Sequence, residues 1–141
     1  MSNISTGHTR IKSDNINTIQ LIETNLRNFG LNWPNTSIFV DPNDEHWYSK
    51  RIQLWGTKWD LDKDNAEIIR TCKNVVCIRS DWAWKGPDNW IKWLATTYPE
   101  ISIAHQETEP AMGFALDILC SNGSCSEMLT HYCEPAENSQ D

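Results

Sequence analysis

The stretch Val75-Val76-Cys77-Ile78-Arg79-Ser80-Asp81-Trp82-Ala83-Trp84 decides how this chain folds. In an extended chain alternate side chains point to opposite faces. Val76, Ile78, Ser80, Trp82 and Trp84 therefore share one side, and Val75, Cys77, Arg79, Asp81 and Ala83 share the other. The first set is apolar enough to face a core, while the second carries charge. The pattern predicts a strand in a sheet covered on one face, and Gly86-Pro87 ends it.

Downstream, Asp88 is placed to cap a helix whose Trp90, Ile91, Leu94 and Tyr98 form an apolar stripe, and Pro99 stops it. Ile101, Ile103 and His105 then alternate with Ser102, Ala104 and Gln106, and Met112, Phe114, Leu116 and Ile118 alternate with Gly113, Ala115 and Asp117. With Glu109-Pro110 turning between them, these two runs predict a hairpin over Ile101 to Cys120.

Upstream, His8 to Lys12 reads as a short strand. Ser13 or Asp14 then caps a helix in which Ile16, Ile19, Ile22, Leu26 and Phe29 recur at steps of three and four, with Gly30 as its stop. Asn32 to Asp44 reads as a loop interrupted by an edge strand at Ile38-Phe39-Val40. A helical segment follows through Trp47, Tyr48, Arg51, Ile52 and Trp55, and Gly56 ends it. The order strand, helix, strand, strand, helix, hairpin predicts an α+β fold. In it an antiparallel sheet carries two main helices on one face, the split β-α-β arrangement of a ferredoxin-like plait.

A chain of 141 residues has the length of one domain. Residues 8–120 are expected to form it, with a helical and loop insertion at 32–64. Residues 1–7, without periodicity, are expected to be disordered and the acidic tail 121–141 mostly so, with Glu134 to Asp141 nearly free of apolar groups. No apolar run is long enough to span a membrane and Met1 to Lys12 has no signal-peptide core, so a cytoplasmic protein is expected. Five cysteines, an odd number without a secretion signal, favour reduced thiols over a disulfide framework.

The formal net charge is −7 and no block of five like charges occurs, which argues against direct binding to a nucleic-acid backbone. Metal binding fares no better. Cys120, Cys125, His131 and Cys133 lack the close cysteine pair usual at zinc, and Asp60 to Asp64 lacks the glycine and glutamate of a calcium loop. No metal, cofactor or catalytic residue is assigned. His105, in phase with Ile101 and Ile103, reads as a structural histidine.

The polar sheet face offers a binding surface instead: Arg79, Asp81, Gln106 and Asp117, with Glu109 and Trp55, Lys58 and Trp59 of the segment Trp55-Gly56-Thr57-Lys58-Trp59-Asp60 at its rim. The chain holds eight tryptophans. The strand phase assigns Trp82 and Trp84 to the core and leaves Trp55 and Trp59 unexplained.

The segment Trp55 to Asp60 is followed by Asp81-Trp82-Ala83-Trp84, then Tyr98-Pro99-Glu100 and Glu109-Pro110-Ala111-Met112-Gly113-Phe114-Ala115. With these runs the chain resembles the Api92-like, YubB-like family over roughly Trp47 to Asp117. The family's Ser-Pro-Pro after the second aromatic signature is replaced by Lys85-Gly86-Pro87. The resemblance implies a ferredoxin-like domain encoded by a phage or plasmid, with no reaction and hence no catalytic residue to carry over. The expectation is a non-enzymatic binding protein whose acidic surface engages a host or bacterial defence protein as a counter-defence factor or inhibitor. The alternative is a protein that binds or processes a nucleotide or metabolite on the open sheet face.

Overall fold

The computed structural model describes residues 3–131 as a mixed α/β fold with three helices and one six-stranded antiparallel sheet. In chain order the elements are β1 (Ile4–Lys12), α1 (Ile16–Phe29), α2 (Trp47–Trp55), β2 (Ala66–Cys72), β3 (Val75–Ala83), α3 (Asp88–Thr97), β4 (Ser102–Glu109), β5 (Phe114–Ser121) and β6 (Ser124–His131). The strands lie in the order β2-β3-β1-β4-β5-β6. Because β3 is antiparallel to both β1 and β2, these two run the same way with β3 between them. By the same reasoning β3 and β4 run the same way around β1. The sheet is wider than the four strands of a plait, and β5 and β6 extend it past β4.

One sheet face is covered. Ile11, Val76, Ile78, Trp82, Ile103 and Ile118 pack beneath Ile19, Ile22 and Leu26 of α1 and Trp90, Ile91 and Leu94 of α3. The helix α1 forms where the apolar residues recur on one side. Asn15 is its N-cap, accepting from the Asn17 N–H at 3.1 Å, and Ser13 instead receives the Asn15 N–H at 3.0 Å. A carboxamide one residue on thus fills the cap expected of Ser13 or Asp14. Gly30 and Gly56 end α1 and α2 with positive φ, 62° and 92°, a region that costs other residues steric strain.

Four indoles, Trp33, Trp55, Trp82 and Trp90, are essentially fully buried. At ~150–250 Å² each they contribute roughly 4–6 kcal/mol apiece in gross transfer free energy. Trp33 meets Trp90 and Trp93 edge to face at 5.6 and 5.5 Å.

Several expectations need correction. The chain enters the sheet at Ile4 and not at His8, so Ile4 to Gly7 belongs to β1. The segment 121–141, expected to be mostly disordered, contains β6 over Ser124–His131. Residues 132–141 and 1–2 lie outside the described residues. Ile38 to Val40 is no strand. Asn32 accepts the Val40 N–H at 2.7 Å and donates to its carbonyl at 2.9 Å, so one side chain supplies the pairing a strand partner would. Cys120 and Cys125 form a disulfide across β5 and β6, which overturns the all-thiol expectation, while Cys72 and Cys77 are free. Cys133 lies outside the described residues.

Candidate functional site

The open sheet face brings together part of the predicted polar set. Arg79, Asp81 and Gln106 line a shallow concavity of about 840 Å³ with Thr6, Glu67 and neighbouring residues of β1, β2 and β3. Asp117 shares this face one strand further out, opposite Gln106. The groups are loosely engaged. Thr6 donates to Asp81 at 2.9 Å, and Arg79 stands 3.8 Å from Glu67 with both side chains mostly exposed. Such a pair is worth at most about 1 kcal/mol.

The rim residues go elsewhere. Glu109 is buried on the helix-covered side, where its carboxylate accepts the N–H groups of Ala111 and Met112 and shapes the β4–β5 turn. Trp55 lies in the core and donates its indole N–H to the Ile38 carbonyl at 2.7 Å. The Arg51 guanidinium sits 4.9 Å from both the Trp47 and Trp55 rings and donates to the Lys58 carbonyl. The Lys58 ammonium lies 5.4 Å from the Tyr48 ring, and Trp59 is half-buried beside Arg51 and Asp60. Asp60 accepts the N–H groups of Leu31 and Leu61, both at 2.7 Å, fastening this loop to the end of α1. Burial pushes the Asp60 carboxyl above its ordinary value despite these bonds. The Trp55 to Asp60 segment therefore ties α2 to α1 and holds the domain together.

The most organised polar cluster lies under the helices. His105, fully buried, meets Thr9 Oγ1 through Nδ1 at 2.7 Å and Glu107 Oε1 through Nε2 at 2.8 Å. Glu107 Oε2 accepts the Ser5 hydroxyl at 2.6 Å and the Gly86 N–H at 2.8 Å. With the Nε2–H given to Glu107, Nδ1 accepts from Thr9. Hydroxyl, imidazole and carboxylate stand in line as in a hydrolase triad, with Thr9, which carries the hydroxyl, only 3% exposed. Burial alone would raise the Glu107 carboxyl; the bonds from His105 and Ser5, with the Gly86 N–H, outweigh it and hold the group below its ordinary value.

This cluster anchors a loop. Gly86 touches Glu107 so closely that a Cβ there would stand 2.5 Å from Oε1, and a Cβ at Gly7 would stand 3.2 Å from the His105 ring. Two residues before Gly86 the chain leaves β3 at Trp84, whose φ is +69°, so the strand alternation stops there. Trp82 is 1% exposed, whereas Trp84 is 49% exposed and not in the core as its phase predicted. Its indole lines a groove of about 510 Å³ with Met112, Phe114, Leu116 and Leu129. Ion pairs edge that groove: Lys85 with Asp88 at 3.0 Å and Lys92 with Glu127 at 2.8 Å. Trp84, Met112 and Leu129 were missed as surface residues because their sequence phases mark them as core or fall in an expected tail.

No known family model matches the chain, and no curated protein matches it. A solved structure it resembles is that of the protein Api92 from Yersinia pseudotuberculosis, assigned to the family DUF1281. The identity is 18% and the TM-score 0.49, over 62% of this chain and 30% of that one.

Proposed function

We propose that this protein is a non-enzymatic binding module that takes a protein partner in the groove beneath Trp84. The observation that carries the reading is Trp84 itself: a half-exposed indole held in left-handed backbone, φ +69°, by a loop tied to a buried carboxylate. That backbone costs about 1–2 kcal/mol, and it is held by the bonds from the Trp84 N–H to the Asn3 carbonyl and from the Gly86 N–H to Glu107, both at 2.8 Å. Tryptophan lining an apolar groove edged by ion pairs has the anatomy of an interface anchor. The chain's net charge of −7 steers a basic partner toward it and repels acidic ones.

On this reading β1 to β4 with α1 and α3 act as a ferredoxin-like core, and the β5–β6 extension supplies one wall of the groove. The motif resemblance to phage and plasmid proteins directs the search for the partner to bacterial host proteins, and a counter-defence or inhibitory role follows if the partner is a defence factor. The concavity around Arg79, Asp81 and Gln106 supports a second reading, a small-molecule site.

Stoichiometric capture of one host protein by the wild type, lost about 30-fold in Trp84→Ala and retained in Arg79→Ala/Asp81→Ala, supports the groove. A metabolite seen by native mass spectrometry and lost in the double variant, with protein capture indifferent to Trp84, overturns it.

A further inference from the structure

The two edges of the sheet are built differently. On β2, the seven-residue edge, the register shifts between Arg70 and Cys72. The Arg27 guanidinium caps the Ile68 carbonyl at 3.1 Å, and Arg70 bonds the Cys72 and Lys73 carbonyls. A bulge and positive charges of this kind stop a second chain from adding. On β6, the eight-residue edge, the pairing with β5 is regular from Ser124 to His131, the strand has neither proline nor lysine, and Met128 and Leu129 are 64% and 58% exposed. Among the described residues, that edge has neither the bulge nor the arginine caps found on β2.

The outward hydrogen-bonding groups of β6 can be identified. Asn122 and Gly123 both have positive φ, 52° and 80°, the signature of a two-residue hairpin turn in which the flanking pair, Ser121 and Ser124, is hydrogen-bonded. The next pair, Cys120 and Cys125, is then not hydrogen-bonded, in keeping with its Cα separation of 4.0 Å. Cys125, Glu127, Leu129 and His131 consequently turn their N–H and C=O groups away from β5, toward the free edge.

We infer that this edge pairs with a second copy of the same chain, β6 antiparallel to β6 about a twofold axis at Leu129. In that register Leu129 faces Leu129 of the second copy, Met128 faces Thr130, and Glu127 faces His131, twice by symmetry. The outward N–H and C=O groups of Leu129 then meet their own equivalents. A shift toward the turn that brings Glu127 opposite Glu127 sets like charges together, so charge selects the register as parity selects the face. Glu127 keeps one oxygen on Lys92 and offers the other across the axis. The inference goes beyond the partner-binding reading, because it uses the backbone edge and not the indole.

Sedimentation of the full chain across micromolar concentrations tests it, with circular dichroism confirming that each variant folds. The expected result is a species of twice the 16.3 kDa monomer mass. Leu129→Pro, which removes an outward N–H and leaves the β5 ladder intact, should weaken dimerisation at least tenfold. Glu127→Lys should do the same, and Glu127→Lys/His131→Glu should restore most of it. Trp84→Ala should leave dimerisation unchanged even where it abolishes partner capture. A wild type that stays monomeric to 200 micromolar, or a folded Leu129→Pro that dimerises as the wild type does, overturns the pairing.

Discussion

Gly86 shows how little room surrounds the buried carboxylate. A methyl group there would press on Glu107 Oε1 and approach His105 Nε2 at 3.2 Å, with the loop and the network both fixed by hydrogen bonds. Gly86→Ala should therefore cost about 2–3 kcal/mol in denaturant unfolding. Gly123→Ala, where the nearest atom is 3.7 Å away and only the left-handed φ of +80° is paid for, should cost about 1 kcal/mol. Glu107, buried, and Asp60, half-buried, should titrate with opposite sign. The Glu107 pKa is depressed below 4.5, so its stabilisation is complete above that value and is lost as pH falls through the lower folded-state pKa. The Asp60 pKa is raised above 3.8, so the folded state holds its proton longer and stability falls as pH rises from 3.8 through the folded-state value. Chemical unfolding at a series of pH values should show the deficit of Glu107→Gln shrinking toward acid. Asp60→Asn should gain on the wild type as pH rises across its window.

At the scale of elements, α1, β3, α3 and the β4–β5 hairpin were legible because each has one apolar face and a clear stop. The stretches that escaped have physical reasons. β2, Ala-Glu-Ile-Ile-Arg-Thr-Cys, is a half-buried edge without clean alternation. In the Ile38 to Val40 run Ile38 and Val40 are buried and Phe39 is exposed; the Ile38 carbonyl accepts the Trp55 indole N–H and Val40 takes its pairing from Asn32, a solution that no periodicity announces. β6 is different, since its signal was present. Asn122-Gly123 is the strongest short hairpin turn, and once it is read as one, Cys120 and Cys125 fall opposite each other and the disulfide follows. The serine-rich flanks hid it. Closing so short a loop stabilises by only about 2 kcal/mol. Reduction, or Cys120→Ala/Cys125→Ala, should lower unfolding free energy by that amount and speed amide exchange in β6, while α1 and β3 keep their protection. Unchanged exchange in β6 would show that the hairpin stands without its staple.

For the molecule as a whole, the polar sheet face was readable from alternation alone, since Arg79, Asp81, Gln106 and Asp117 do share it. The groove was not, because it depends on one residue leaving the strand: Trp84 continues the phase of Trp82 in sequence and breaks it in backbone angle. The network of Ser5, Thr9, His105 and Glu107 joins β1, β4 and the loop at Gly86, and it keeps that loop, with its indole, in place. Hydroxyl-radical footprinting of the free and partner-bound protein reads this most directly. Trp84 and Met112 should be oxidised rapidly in the free protein and protected in the complex, while Trp33, Trp55, Trp82 and Trp90 stay unreactive throughout. A Trp84 as inert as Trp82 in the free protein, or one that remains fully reactive when the partner is bound, would contradict it.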